Sequence, residues 1–184
     1  MTTPLPPLGA ALQDIGALLP EMEFWFPSEH LATGALDMLC RRHLLDGIAR
    51  PPLPQRALHG MLKGFSDLVF EHEGRYWVLD YKSNALGAGD SAYHTNALAH
   101  GMAEHRYDVQ GAIYLLALHR LLQSRLGDDY APAEMLGGAV FYFLRGIGNA
   151  ATRGCYLIAP DAALLDDLDA LLRQAAPAPL EDDE

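Results

Sequence analysis

The sequence predicts an α/β sandwich with a central mixed sheet flanked by helices, and three observations carry that prediction. Half of its 184 residues are hydrophobic, enough to give one domain a substantial core. Segments with strand and helix character follow one another in the order β, α, β, β, α, α, β, β, α, a pattern of layered α/β folds. Two of the strands meet at a glycine-containing polar tip, His72-Glu73-Gly74-Arg75, the signature of a hairpin.

Taken in order, residues 1–20 are rich in Pro, Leu, Gly and Ala and read as a connector. Glu21 to Phe26 has strand character. Ser28 is expected to cap a helix running to about Leu45, with Leu36, Leu39 and Leu44 on its buried face. Residues 46–57, with Pro51, Pro52 and Pro54, form a loop. The hairpin follows from about Leu58 to Ser83, and Gly87-Ala88-Gly89 leads out of it. Helices are expected over about 91–104 and 105–126, the second with apolar residues at Val109, Ile113, Leu116 and Leu121. Gly137 to Arg145 reads as a buried strand and Gly154 to Ala159 as another. Asp161 caps a last helix to about Gln174, and residues 177–184 form a disordered acidic tail.

The hairpin holds the chemistry. With the turn centred on Glu73-Gly74, facing residues have numbers summing to 147, so Asp67 lies opposite Asp80. Lys82 shares the face of Asp80, because side chains alternate along a strand. Two carboxylates about 5 Å apart at an effective dielectric near 20 repel by roughly 3 kcal/mol, and opposed like charges weaken a sheet. A divalent cation held by oxygen ligands removes that conflict. Taken alone, an Asp-x-Lys triplet is more often a solvated ion pair. Yet of thirteen cationic residues only Lys63 and Lys82 are lysine, and a lysine supplies a compact charge that arginine does not.

Other residues are weaker candidates. Gln110 and Tyr114 are four apart and share a helix face, where they can hold a phosphate oxygen or simply form a half-buried polar edge. Arg106 and Tyr107 precede them by about one turn. Arg145, at a strand end, can clamp phosphate or serve as an ordinary surface cation. His59 has the parity of Asp67 but lies about 27 Å along a straight strand. His100 and His105 are five apart, outside the spacing of a helical zinc pair. Packing or surface roles are expected for all eight histidines.

Composition excludes several classes. No apolar run reaches the roughly 20 residues of a membrane span, and no basic n-region followed by an apolar stretch suggests a signal peptide. Cys40 and Cys155 are isolated, as expected of buried free thiols in a reducing cytoplasm. The net charge of −11 argues against a stand-alone nucleic-acid binder. Residues 161–184 carry eight acids and one arginine, however, leaving only −4 for residues 1–160. Neither a Walker-type phosphate loop nor a Gly-x-Ser-x-Gly elbow is present.

With these residues assembled, the chain resembles the PD-(D/E)xK nuclease superfamily, and within it the nuclease domains of RecB-type subunits. The stretches that carry the likeness are Glu21 to Phe24, Gly60 to Phe70, Leu79-Asp80-Tyr81-Lys82-Ser83-Asn84, His105 to Gln110 with Tyr114, and Phe143 to Gly146. The resemblance implies a restriction-endonuclease-like fold over residues 21–176. It implies that Asp67, Asp80 and the main-chain carbonyl of Tyr81 hold a catalytic Mg²⁺, and that Lys82 positions or activates water. Gln110 and Tyr114 match the family's helical Gln-x3-Tyr motif, and with Arg145 they are expected to contact DNA. Glu21 fits the Glu-x-x-Phe pattern without an expected chemical role.

The implied function is Mg²⁺-dependent DNA hydrolysis within a helicase–nuclease complex that repairs double-strand breaks, alongside RecC-like and RecD-like subunits in the cytoplasm. The alternative is a nuclease-like module, weak or inactive in catalysis, that guides DNA or docks a partner subunit. The family's histidine ligand comes from a helix upstream of the Glu-x-x-Phe strand, and none of the eight histidines occupies that place. The sequence therefore reads as a piece of a larger subunit or as a shortened relative lacking the N-terminal helical part.

Overall fold

The computed structural model describes residues 2–28 and 31–174. Its centre is a five-stranded mixed sheet of β1 (Ala17–Pro27), β4 (Met61–His72), β5 (Arg75–Lys82), β6 (Leu136–Phe143) and β7 (Cys155–Ile158), side by side in that order. Two-residue strands β2 (Leu31–Ala32) and β3 (Ala57–Leu58) pair separately. The helices are α1 (Thr33–His43), α2 (Thr95–Glu104), α3 (Tyr107–Leu126), the short α4 (Pro132–Met135) and α5 (Ala162–Gln174). Only β5 and β6 run parallel, joined through α2 and α3; the other neighbours are antiparallel.

The β4–β5 turn fixes everything downstream of it. Glu73 and Gly74 both have positive φ, 53° and 77°, which is the backbone of a two-residue hairpin turn whose twist matches that of the strands. The ladder that follows pairs His72 with Arg75 and Leu68 with Leu79, the register that a turn at those two residues dictates. β6 is buried at every position, as expected of a strand with neighbours on both edges and cover on both faces.

Two cores sandwich the sheet. One packs Val69, Val78, Phe141 and Ile158 against Leu115, Leu116 and Leu118 of α3 and against α5. The other joins Leu68, Phe70, Trp77, Leu79 and Tyr142 to Leu5, Leu8, Leu12 and Ile15. Residues 1–20 are therefore not a connector: β1 begins at Ala17, and the preceding segment covers the second face of the sheet. Without helical or strand periodicity those leucines resemble linker residues in the sequence. Ser28 does not cap α1 either; its N–H and hydroxyl both donate to the Gly60 carbonyl, at 2.8 and 3.2 Å. The helix starts five residues later, where the Thr33 hydroxyl donates to the Pro54 carbonyl at 2.7 Å and ties down the proline loop. The acidic tail lies outside the described residues.

Helix α3 sits close on the sheet because Gly111 has no side chain. A Cβ there would stand 2.4 Å from Ile158 Cδ1 and 3.0 Å from Phe141 Cε2. Gly111→Val is expected to lift α3 and cost about 1–3 kcal/mol by overpacking, measured by urea unfolding. The two thiols are buried, and burial pushes each up to about 12, which leaves them unreactive.

Candidate functional site

The sheet splits where the acidic pair stands. The β4–β5 ladder ends at Leu68 and Leu79. Beyond that point β4 stays with β1 as far as Met61, and β5 stays with β6 as far as Lys82. Asp67 and Asp80 are the next facing residues in that register, at the crotch of the fork. Splayed strands leave main-chain groups without ladder partners, and buried ones must be satisfied in other ways. Asp67 Oδ2 accepts the Tyr81 N–H at 2.8 Å, and the Tyr114 hydroxyl of α3 donates to the Phe65 carbonyl at 2.7 Å. An extended residue directs its N–H and C=O to the same side, so the Tyr81 carbonyl also faces the fork.

On the α3 side, Asp80 and Lys82 are both buried, at 6% and 7% exposure, and form an ion pair. The Lys82 ammonium donates to Gln110 Oε1 at 2.8 Å and rests 3.8 Å above the Tyr107 ring. Gln110 Nε2 donates in turn to the Tyr114 hydroxyl at 2.5 Å, which lies 3.5 Å from Asp80 Oδ1. A continuous hydrogen-bonded line thus runs from Lys82 through Gln110 and Tyr114 to the backbone of β4. Tyr114 is 3% exposed, and its hydroxyl is engaged with protein groups. In this arrangement it holds the fork rather than presenting a face to DNA.

The electrostatics concentrate on Asp80. Burial raises its pKa above the ordinary carboxylate value, Lys82 pulls it back, and the Asp67 carboxylate, against it, raises it further. The Tyr114 and Tyr107 hydroxyls are raised mainly by burial, with the Asp80 charge adding to both. Asp80 Oδ2 is buried with no aligned hydrogen-bond donor, its partner being the Lys82 ammonium.

That oxygen, the Asp67 carboxylate and the Tyr81 carbonyl are all hard donors, suited to a divalent cation that keeps several waters. Among the described residues no cluster of three or more His, Cys, Asp or Glu side chains is arranged to hold a metal, so a zinc-type cage is not on offer.

Arg145 is exposed, in a single helical turn after β6, and its Nε donates to the Ser83 carbonyl at 2.9 Å. It therefore stands one residue from Lys82. Glu21 has a positive φ of 55° and falls between the paired residues Pro20 and Met22, where the β1–β4 pairing is interrupted opposite Asp67 without a change of register. Gly64 makes room for the Phe24 ring, which would meet a Cβ there at 2.2 Å, rather than for an incoming ligand.

Asn84 and Tyr107 are the site residues that sequence reasoning passed over as partners. The Tyr107 hydroxyl donates to Asn84 Oδ1 at 2.9 Å, and His105 stacks on Tyr107 with ring centroids 5.3 Å apart. Parity offered a signal for both: Asn84 is two beyond Lys82 on a strand path, and Tyr107 is three before Gln110 on a helix.

Comparison with known proteins agrees in type. The family model for the PD-(D/E)XK nuclease superfamily matches residues 18–181. RecBCD enzyme subunit RecB of Escherichia coli K12 is 44% identical over 173 residues, which is 92% of this chain and 15% of that protein. The Haemophilus influenzae subunit is 36% identical over 165 residues, covering 88% of this chain and 13% of its own length. The Mycobacterium tuberculosis H37Rv subunit is 34% identical over 200 residues, covering 92% and 18%. The chain thus spans less than a fifth of the length of these curated relatives.

Proposed function

Because the chain belongs to the PD-(D/E)XK nuclease superfamily, we propose that it hydrolyses DNA phosphodiesters at the β4–β5 fork, with Mg²⁺, as the nuclease part of a RecBCD-type helicase–nuclease. The observation that carries this reading is the forced juxtaposition of Asp67 and Asp80 with the Lys82 ammonium on the second carboxylate. A fold with only a binding role has no use for that conflict.

Asp67, Asp80 and the Tyr81 carbonyl would hold the ion. When bound, it supplies positive charge beside the scissile phosphate and lowers the pKa of water. The remaining work falls to the chain. Lys82, fixed by Gln110 and by the Tyr107 ring, orients the attacking water and offsets charge building on the phosphate oxygens. Tyr114 keeps the fork at its width by bracing the Phe65 carbonyl. Arg145, exposed and tethered to Ser83, is the group placed to meet a neighbouring phosphate. DNA is the substrate, and RecC-like and RecD-like subunits are the expected partners of the longer protein.

Lys82 and the cation compete for Asp80 Oδ2, which gives a split prediction. Lys82→Met should cut DNA about 10²–10³-fold more slowly, the size of effect seen when a charge-stabilising donor is removed, yet bind Mn²⁺ more tightly by calorimetry. Cleavage at the native rate by Lys82→Met would overturn the assignment. A chain that binds DNA but leaves it intact with Mg²⁺, alone and within its parent subunit, would favour the non-catalytic module. Among the described residues no helix is long and apolar enough to cross a membrane.

A further inference from the structure

The β1–β4 ribbon carries aromatic groups that no core absorbs. Phe24 points toward α3, with its ring 5.8 Å from that of Tyr114, so its neighbour Trp25 points to the opposite face. There Trp25 and Phe65 are each 52% exposed, and the Lys63 ammonium stands between them, 4.4 Å from the Trp25 ring centre and 4.8 Å from that of Phe65. Lys63 is paired to Glu23 at 2.5 Å, with both side chains about 40% exposed. It is the chain's second lysine, the other being Lys82.

We propose that Trp25, Lys63 and Phe65 form a nucleotide-binding site that holds an unpaired base and its phosphate next to the fork; the proposal rests on the nuclease reading for the identity of the strand. Two flat rings flanking an ammonium match the parts of a nucleotide: stacking surfaces for the base and a point charge for the phosphate, which displaces Glu23. Phe65 is two residues from Asp67 on the same strand, roughly 7 Å of chain. Residues 62–65 of β4 also form one wall of a cleft of about 350 Å³ whose other wall is α3, with Gln110 and Tyr114. The rings thus lie on the reverse face of the same stretch of β4 that borders the candidate reaction centre, and a DNA strand seated on them reaches that centre by passing around the splayed end of β4.

The acidity of the chain sharpens the argument. At a net charge of −11, diffuse attraction to phosphate is weak, so affinity has to come from stacking. Base faces are open to stacking only where the strand is unpaired, which sets this site apart from a backbone-reading surface.

The test uses the 184-residue chain, EDTA, and a labelled oligothymidine of about ten nucleotides. Trp77 is buried, so quenching of tryptophan emission by the oligomer reports Trp25. Quenching is expected, with a salt slope near −1, as for one or two phosphates. Trp25→Ala and Phe65→Ala should each weaken binding about tenfold, Phe65→Tyr should restore it, and Glu23→Gln should tighten it. Absence of quenching, native affinity in both alanine variants, or self-association that shields Trp25 in place of DNA would overturn the proposal. EDTA separates the two readings: quenching without any Mg²⁺-dependent cleavage would sustain this site while the nuclease assignment fails.

Discussion

Asp80→Asn is expected to lower DNA cleavage by about 10³-fold and, in the absence of metal, to make the fold more stable. Both effects come from the same buried carboxylate. The folded state raises the Asp80 pKa above its ordinary 3.8, through burial first and the adjacent Asp67 charge second. The native state therefore keeps a proton that the unfolded chain releases. By linkage, stability falls as pH rises through the interval from 3.8 up to the raised value. Asparagine keeps the shape without the charge and removes that loss. Above this interval, thermal melts in EDTA should place the variant higher than the native chain. Near pH 4 the gap should close. An Asn variant that melts lower than the native chain at every pH would show that the acidic pair is not under electrostatic load. Undiminished cleavage by Asp80→Ala in the intact subunit, with unwinding retained, would remove Asp80 from the chemistry.

Asp108→Ala carries the largest expected loss of stability. Asp108 is fully buried and accepts from Arg50 Nη1 at 2.6 Å and from Arg106 Nε at 3.1 Å. Arg106 also reaches Asp37 at 2.7 Å, and Asp37 meets Arg41. Arg50 donates further to the Leu44 and Leu45 carbonyls. The group locks α1 and the proline loop to the first turn of α3, the helix that delivers Tyr107, Gln110 and Tyr114. Removing its central acid leaves the buried Arg50 guanidinium without a counter-charge and Arg106 with Asp37 alone, which costs about 3–5 kcal/mol, or roughly 10 °C in melting temperature. Urea unfolding measures it directly. A loss below about 1 kcal/mol would mean that water replaces the carboxylate freely.

The legible part of this molecule was local. Glu73-Gly74 specifies a turn through backbone sterics alone, and the turn sets the register; alternation then sets which acids face each other. The apolar run of β6 and the periodicity of α3 are equally direct consequences of burial. What escaped was what depends on distant chain. Leu5, Leu8 and Leu12 look like linker residues until the second sheet face is there to receive them. Ser28 has the chemistry of a helix cap, but Gly60 lies close enough to claim it first. The Arg50–Asp108–Arg106–Asp37 lock joins residues up to 71 positions apart and leaves no periodic trace. Gln110 and Tyr114 were visible as a pair, whereas their engagement with Lys82 and β4 appears only once α3 is laid across the fork.

The central claim is that Asp67 and Asp80 together bind a divalent ion, and calorimetric titration of the chain with Mn²⁺ tests it most directly. Binding should tighten as pH rises through the raised pKa of Asp80 and should vanish in both Asp67→Asn and Asp80→Asn. Native affinity in either variant, or binding indifferent to pH across that interval, would contradict it.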